Sequence, residues 1–224
     1  MIVHDPKNRK LITINISSDS DFHTQINNKK IPYRSCGSTS SIMALKNTRI
    51  PIDTPLDEQE EDYLTGLLLS DEAHEVMKKI APWAVKSKTP ANEVHVMIDW
   101  GVNKIISDKR FKMFFDENSN IKKLAYDTLE RKSSVVSGKF TSYGHMTCFS
   151  GFTTYQDNIR EIKTHKDINV ELIKDIIIDD PYGNYFTGYK DHHGNNVYFP
   201  IDIFLALVSR GEEKNIWAHR FKIL

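Results

Sequence analysis

Cys36 is the residue of this chain best placed to act as a nucleophile. It stands in the segment RSCGSTSSIMAL, where a helical pattern of apolar residues begins directly after it. Unpaired N–H groups and the helix dipole favour a thiolate at such a position. Gly37 would let a substrate approach the backbone closely, and Ser38, Thr39 and Ser40 would cap the helix. A lone cysteine is more often a small buried residue, so the prediction depends on partner groups elsewhere.

A thiolate nucleophile needs a nearby imidazole, which forms an ion pair with it and later protonates the leaving amine. His145 follows a glycine and opens the run MTCFSGFTTY, whose alternating pattern predicts a strand that would hold the ring in a fixed direction. His219 is expected to pack in the C-terminal segment. The other histidines are expected to be solvated: His4, His23, His74, His95, His165, His192 and His193.

The third role belongs to a group that hydrogen-bonds the far nitrogen of the imidazole and fixes its tautomer. The apolar run at 176–178 reads as a buried strand, and it ends in two aspartates before a proline. Asp180 is the better candidate, and Asp179 should face the other way, although a one-residue error in register would exchange the two. Tyr182 and Tyr185 follow closely and are predicted to rim a substrate site.

These side chains must be positioned by a mixed fold. Helical spacing of apolar residues dominates the first half of the chain, and short β-prone runs dominate the second, which predicts an α+β domain. The expected arrangement is an N-terminal helical half packed on a C-terminal antiparallel sheet, in one domain over 1–224 with a polar arm at 1–20. Helices are predicted at 37–45, 59–69, 71–80, 91–100, 120–132 and 204–207, and strands at 11–16, 134–140, 145–153, 173–179, 197–199 and 217–223.

Composition narrows the possible functions. Lysine plus arginine equals aspartate plus glutamate at 30 each, so no net charge favours nucleic acid or an anionic membrane. Two cysteines, Cys36 and Cys148, do not make a disulfide framework. The N-terminal segment lacks the pattern of a signal peptide, and no apolar run is long enough for a membrane helix, which predicts synthesis in a cytoplasm without membrane insertion.

Other chemical motifs are incomplete. His74 and Glu75 begin like a zinc-protease helix, but Lys78 stands where the second histidine is needed. The loop at 191–196 carries possible cation ligands without the spacing of a calcium loop, so a solvated turn is favoured there. No metal and no cofactor are therefore expected.

Three segments together resemble a known family. TQINNKKIPYRSCGSTSSIMAL at 24–45, SSVVSGKFTSYGHMTCFSGF at 133–152 and IIIDDPYGNYFTGY at 176–189 look like papain-like cysteine peptidases similar to the bacteriocin-processing (double-glycine) peptidases. The closer resemblance is to a branch found in bacteriophage lysins and related bacterial proteins. The resemblance implies a papain-like fold with Cys36 as nucleophile, His145 as general base and acid, and Asp180 as orienting carboxylate. It also implies that the Gln25 amide, with the Cys36 backbone N–H, stabilises the oxyanion.

The resemblance implies a function as well. The first expectation is an endolysin-like peptidoglycan endopeptidase or amidase that cuts a stem peptide and acts at the bacterial wall after release from the cell or as a virion component. The alternatives are a protease that processes a polypeptide leader or viral precursor, and an inactive peptide-binding domain of the same fold. The sequence does not predict which bond is cleaved, which hosts are attacked or how many copies of the chain associate.

Overall fold

The computed structural model describes residues 9–224, so His4 and the first eight residues of the predicted arm lie outside the described residues. The α-helices within this range are α1 (Cys36–Asn47), α2 (Glu60–Leu68), α3 (Asp71–Ile80), α4 (Pro82–Lys86), α5 (His95–Ile105), α6 (Ile121–Leu129) and α7 (Ile201–Val208). The strands are β1 (Ile12–Asn15), β2 (Phe111–Ser119), β3 (Ser134–Gly138), β4 (His145–Thr154), β5 (Ile173–Asp179), β6 (Val197–Pro200), β7 (Ser209–Arg210) and β8 (Asn215–Ile223).

The strands form one antiparallel sheet. Its main order is β2-β8-β3-β4-β5-β6, while β1 pairs with the second half of β4 and β7 pairs with the start of β8. The predicted α+β class with an antiparallel sheet is confirmed at this level of description.

Both faces of the sheet are covered, because alternate residues of the central strands point to opposite sides. Val135 and Cys148 pack with the helices α1 to α5 in one hydrophobic cluster. Their neighbours Val136 and Phe149 belong to a second cluster, built with α6 and α7. All ten residues of β4 are buried, so this strand is held from both sides and can fix the direction of the side chain at its start.

The central helix is α1, whose run from Ile42 to Leu45 is fully buried. A helix that is apolar on most sides packs inside a protein, and α1 lies between the other helices and the sheet. The Ser40 hydroxyl donates to the Met146 carbonyl oxygen at 3.0 Å, which ties α1 directly to the start of β4. This contact brings the N-terminus of α1 next to His145.

Several elements differ from the sequence-based expectation, among them the two-residue strand β7, which was not predicted. Strand β2 was not predicted, because its second half carries the polar run Asp116–Ser119 and, as an edge strand, it pairs only with β8 among the described strands. The short helix α4 was also missed. The helix predicted at 91–100 begins at His95 and continues to Ile105, since residues 91–93 form a separate 3-10 turn after Pro90.

Candidate active site

Cys36 is the first residue of α1, as predicted, but the helix is not capped in the predicted way. Ser35 precedes it without a side-chain cap. The Thr39 hydroxyl donates back to the Ser35 carbonyl at 3.0 Å, Ser40 donates to β4, and the Ser38 hydroxyl is buried without a hydrogen-bond partner among the described residues. The predicted capping role was wrong, because these residues lie within the helix and not before it.

Gly37 serves packing within the protein. A Cβ atom there would come within 2.8 Å of Cδ1 of Ile98 and 3.2 Å of the Met146 sulfur. The residue is buried, so it allows α1 to approach α5 and β4 closely. The surroundings of Gly37 therefore do not support the expected close approach of a substrate to this residue.

His145 opens β4 and is held by Asp180. Its Nε2 lies 2.7 Å from Oδ1 of Asp180, and both side chains are almost completely buried. Because Nε2 is engaged, Nδ1 is the ring nitrogen left for the hydrogen bond with the Cys36 thiol. The three residues distant in sequence therefore meet in the order thiol, imidazole and carboxylate.

The electrostatics of this trio favour an ion pair. Burial raises the pKa of Cys36, but the hydrogen bond and charge of His145 and the backbone N–H groups of Met146 and Gly37 outweigh it, so the thiol pKa lies below its usual value. Burial likewise opposes protonation of His145, but the charge and hydrogen bond of Asp180, followed by those of Cys36, raise its pKa to about 10. Both shifts favour a thiolate beside an imidazolium.

The geometry distinguishes between the two candidate aspartates. The Asp180 carboxylate also accepts from the Tyr182 backbone N–H at 2.9 Å and from the Tyr189 hydroxyl at 3.3 Å. Asp179 instead accepts from the Asn196 backbone N–H at 2.9 Å and from the Asn47 amide at 3.3 Å. Asp180 is thus the partner of His145, and Asp179 connects β5 to the end of α1.

The trio opens onto a cavity of about 640 Å³, a size typical of ligand sites. Cys36, His145 and Met146 form one side of it. Exposed aromatic rings stand at its rim, with Tyr143 fully exposed and Tyr33 at 74%. The lining also includes polar residues from several elements: Arg34, Asn92, Glu93, His95 and Arg210. A peptide could therefore lie across the thiol with aromatic and charged groups around it.

Gln25 lies beside the segment that leads into α1. Its side-chain amide donates to the Pro32 carbonyl at 3.0 Å, an oxygen that the Ser35 hydroxyl also approaches. One amide hydrogen remains, and Oε1 is buried without a partner among the described residues. The oxyanion role of Gln25 stays a prediction.

The two tyrosines predicted at the rim occupy different surroundings. The Tyr182 ring lies 6.2 Å from the His145 ring, in an edge contact. The half-buried Tyr185 packs against Phe140 and Phe199 in the second hydrophobic cluster. Neither tyrosine is among the residues that line the cavity, where Tyr33 and Tyr143 stand instead.

A second histidine network includes His95, a residue of the cavity lining. Nδ1 of His219 lies 2.7 Å from Oδ1 of Asp99, and Nε2 of His219 lies 2.9 Å from Nδ1 of His95. The packing expected for His219 is confirmed. The expectation that His95 is solvated was wrong, because its ring stacks on Phe115 with 4.1 Å between centroids. The four-residue spacing of His95 and Asp99 on one helix was the signal available in the sequence.

Cys148 has the surroundings of a structural thiol. It is fully buried in β4, next to the Ser133 hydroxyl at 3.1 Å. Burial and then the nearby Asp179 charge raise its pKa well above the usual value. A buried thiol of this kind is a poor nucleophile.

Within residues 9–224, no three histidine, cysteine, aspartate or glutamate side chains are grouped as a metal site requires. In the loop at 191–196, the Asp191 carboxylate accepts from the His193 backbone N–H, and Asn195 donates to Asp19 at 2.6 Å. No helix in this part of the chain has the length and apolar character to cross a membrane.

No protein-family model matches this sequence, and no curated protein matches it significantly.

Proposed function

We propose that this chain is a papain-like cysteine hydrolase of amide bonds, and that its substrate is the stem peptide of peptidoglycan. The observation that carries the proposal is the contact of Cys36, at the start of a buried helix, with an imidazole that Asp180 holds at 2.7 Å. A nucleophile, a base bonded to it and a group that orients the base are the parts that acyl transfer requires.

In this proposal the Cys36 thiolate attacks the carbonyl carbon of the scissile amide. The resulting oxyanion accepts from the Cys36 backbone N–H and the Gln25 amide. His145 then gives the proton on Nδ1 to the leaving amine, which departs as the acyl-enzyme forms. A water molecule, deprotonated by His145, hydrolyses the thioester and restores the thiol.

Two features support a peptide substrate. The cavity is open to solvent and large enough for a few residues, and exposed Tyr33 and Tyr143 can pack against a chain that crosses the thiol. The wall peptide is supported by the resemblance of the segments at 24–45, 133–152 and 176–189 to phage lysins.

The test is digestion of purified peptidoglycan from several bacterial hosts, with fragments identified by mass. The wild-type protein should release defined peptide fragments from at least one wall. Cys36→Ala should lower the rate by at least about 10³-fold, because removal of a nucleophile leaves only binding and oxyanion stabilisation. Cys148→Ala is the matched thiol control and should retain most of the activity.

Three outcomes would count against the proposal in different ways. Intact walls together with a cleaved polypeptide would replace the substrate by a protein precursor. If neither walls nor polypeptides are cleaved, the chain would be a binding domain without catalytic activity. Equal losses in the two cysteine variants would mean that the nucleophile is misassigned.

A further inference from the structure

Arg210 is a cavity residue with no carboxylate partner among the described residues. It lies on β7, lines the same cavity as Cys36 and His145, and stacks on the Trp217 ring with its guanidinium carbon 4.0 Å from the ring centroid. Its Nε is buried without a hydrogen-bond partner in the described part of the chain. The stacked guanidinium is therefore held in place, and its N–H groups have no hydrogen-bond partner among the described residues.

The other charges around this cavity are matched. Arg34 pairs with Glu93 at 2.6 Å, and the Cys36 thiol is hydrogen-bonded to His145. Burial lowers the pKa of Arg210, and no acidic group raises it. The cavity lining thus carries one partly buried positive charge, at Arg210, that no acidic side chain in residues 9–224 neutralises.

The neighbouring His95 imidazole adds no charge of its own to this corner of the cavity. Burial, then the charges of His219 and Arg210, lower the pKa of His95 to about 3, so its ring is neutral near pH 7. The His95 ring stands edge-on to Trp217, 5.3 Å between centroids, and completes the aromatic support of this corner. A guanidinium fixed on an aromatic ring is suited to bind a planar anion through two hydrogen bonds.

We propose that Arg210 binds a carboxylate of the substrate, so that the enzyme selects peptides with a free carboxylate near the scissile amide. This inference rests on the proposed function, because it names the feature by which that active site recognises its peptide. A carboxylate is the anion that peptides carry, and Arg210 shares one cavity with Cys36. Because Arg210 and Cys36 line the same cavity, the carboxylate would lie close to the cleaved bond.

The experiment compares two synthetic stem peptides that differ in one group, a carboxylate or its carboxamide, next to the scissile amide. The wild-type protein should favour the carboxylate peptide in kcat/KM by about 10- to 100-fold, as expected for a charge-assisted hydrogen-bonded pair. Arg210→Gln should bring this ratio close to one. Arg210→Lys should give an intermediate ratio, because it keeps the charge and loses the planar fork.

Arg34→Gln is the matched control, since Arg34 lines the same cavity but is already paired with Glu93. This variant should keep the wild-type ratio. A wild-type ratio near one, or a ratio lost in Arg34→Gln and kept in Arg210→Gln, would overturn the proposal.

Binding to the Cys36→Ala variant separates this inference from the proposed function. Calorimetric titration should show tighter binding of the carboxylate peptide, and Cys36→Ala/Arg210→Gln should lose the difference. If the wild type cleaves neither peptide while this preference in binding persists, the hydrolase fails and the carboxylate site stands. Equal binding of the two peptides, or binding of neither, refutes the site.

Discussion

Asp179 and Asp180 are consecutive residues, yet their carboxylates contact different parts of the molecule. Oδ1 of Asp180 lies 2.7 Å from Nε2 of His145, whereas Oδ2 of Asp179 lies 3.3 Å from the Asn47 amide at the end of α1. Side chains alternate along a strand, so neighbouring acids at its end point in different directions. The end of β5 thus supplies two carboxylates. Asp180 belongs to the candidate site, and Asp179 connects α1 to the sheet.

Removing the Asp180 side chain should impair catalysis. Asp180→Ala should lower kcat/KM by about 10²- to 10⁴-fold, because the imidazole loses the group that fixes its tautomer. Asp180→Asn should cost less, since an amide oxygen can still accept from Nε2. In the proposed mechanism the reactive form has an imidazolium, so activity should be lost as the pH rises through the pKa of His145. Both variants should move this alkaline limb to lower pH. Kinetics across pH 5–11 measure both effects.

Asp179→Asn provides the control for that series. Its new amide would place a donor opposite the Asn47 amide, so we expect a loss of about 1–3 kcal/mol in the free energy of unfolding. The alkaline limb of the rate profile should not move. A shift like that of Asp180→Asn would show that both acids act on the imidazole.

The two thiols should differ sharply in reactivity. Iodoacetamide at pH 6–7 should label Cys36 at least about tenfold faster than Cys148, because one thiol pKa is lowered and the other raised well above its usual value. Peptide mass mapping of the alkylated protein gives both rates. His145→Ala should slow the labelling of Cys36 near neutral pH, since the imidazolium stabilises the thiolate. Faster labelling of Cys148 in the folded protein would contradict the assignment.

Much of the candidate trio could be predicted because each member stands at a local signal. Cys36 precedes a helical pattern, His145 opens an alternating run, and Asp180 ends an apolar run before a proline. Helix and strand ends are marked by such local chemistry. The contact among the three residues could not be predicted from these local signals. Only the packing of α1 on β4 brings the start of the helix to the first residue of the strand.

The presence of Arg210 and His95 in the cavity lining could not be predicted from local patterns. Arg210 stands on a two-residue strand, and its position depends on the pairing of that strand with β8. His95 reaches the cavity because β8 brings His219 beside α5. Long-range strand register of this kind is set by the whole core and not by neighbouring residues, which is why His95 was expected to be solvated.

Gly194 should be required for the position of Asp180. An alanine Cβ at 194 would lie only 2.1 Å from the Asp180 carbonyl oxygen, so Gly194→Ala must displace that backbone. We expect a loss of about 1–3 kcal/mol in stability and at least about a tenfold drop in kcat/KM. Gly188→Ala is the control, because Gly188 has a φ of +62° but no heavy atom within 4 Å of the place that an alanine methyl group would take. It should lose about 1 kcal/mol and keep its activity.

His95 should make the fold less stable in acid. Its pKa is about 3 in the folded protein, against about 6.5 in an unfolded chain, so between these values only the unfolded chain binds the proton. Stability is therefore lost as the pH falls below about 6.5, and this histidine alone should remove about 2 kcal/mol between pH 7 and pH 5. Urea unfolding at the two pH values should show a smaller loss of unfolding free energy in His95→Gln than in the wild type, by about 2 kcal/mol.

The hydrogen bond lost in the variant affects the unfolding free energy equally at both pH values and cancels in this difference. His74→Gln, at an exposed position on α3, should behave like the wild type, and an equal acid drop in His95→Gln would refute the role of the buried ring.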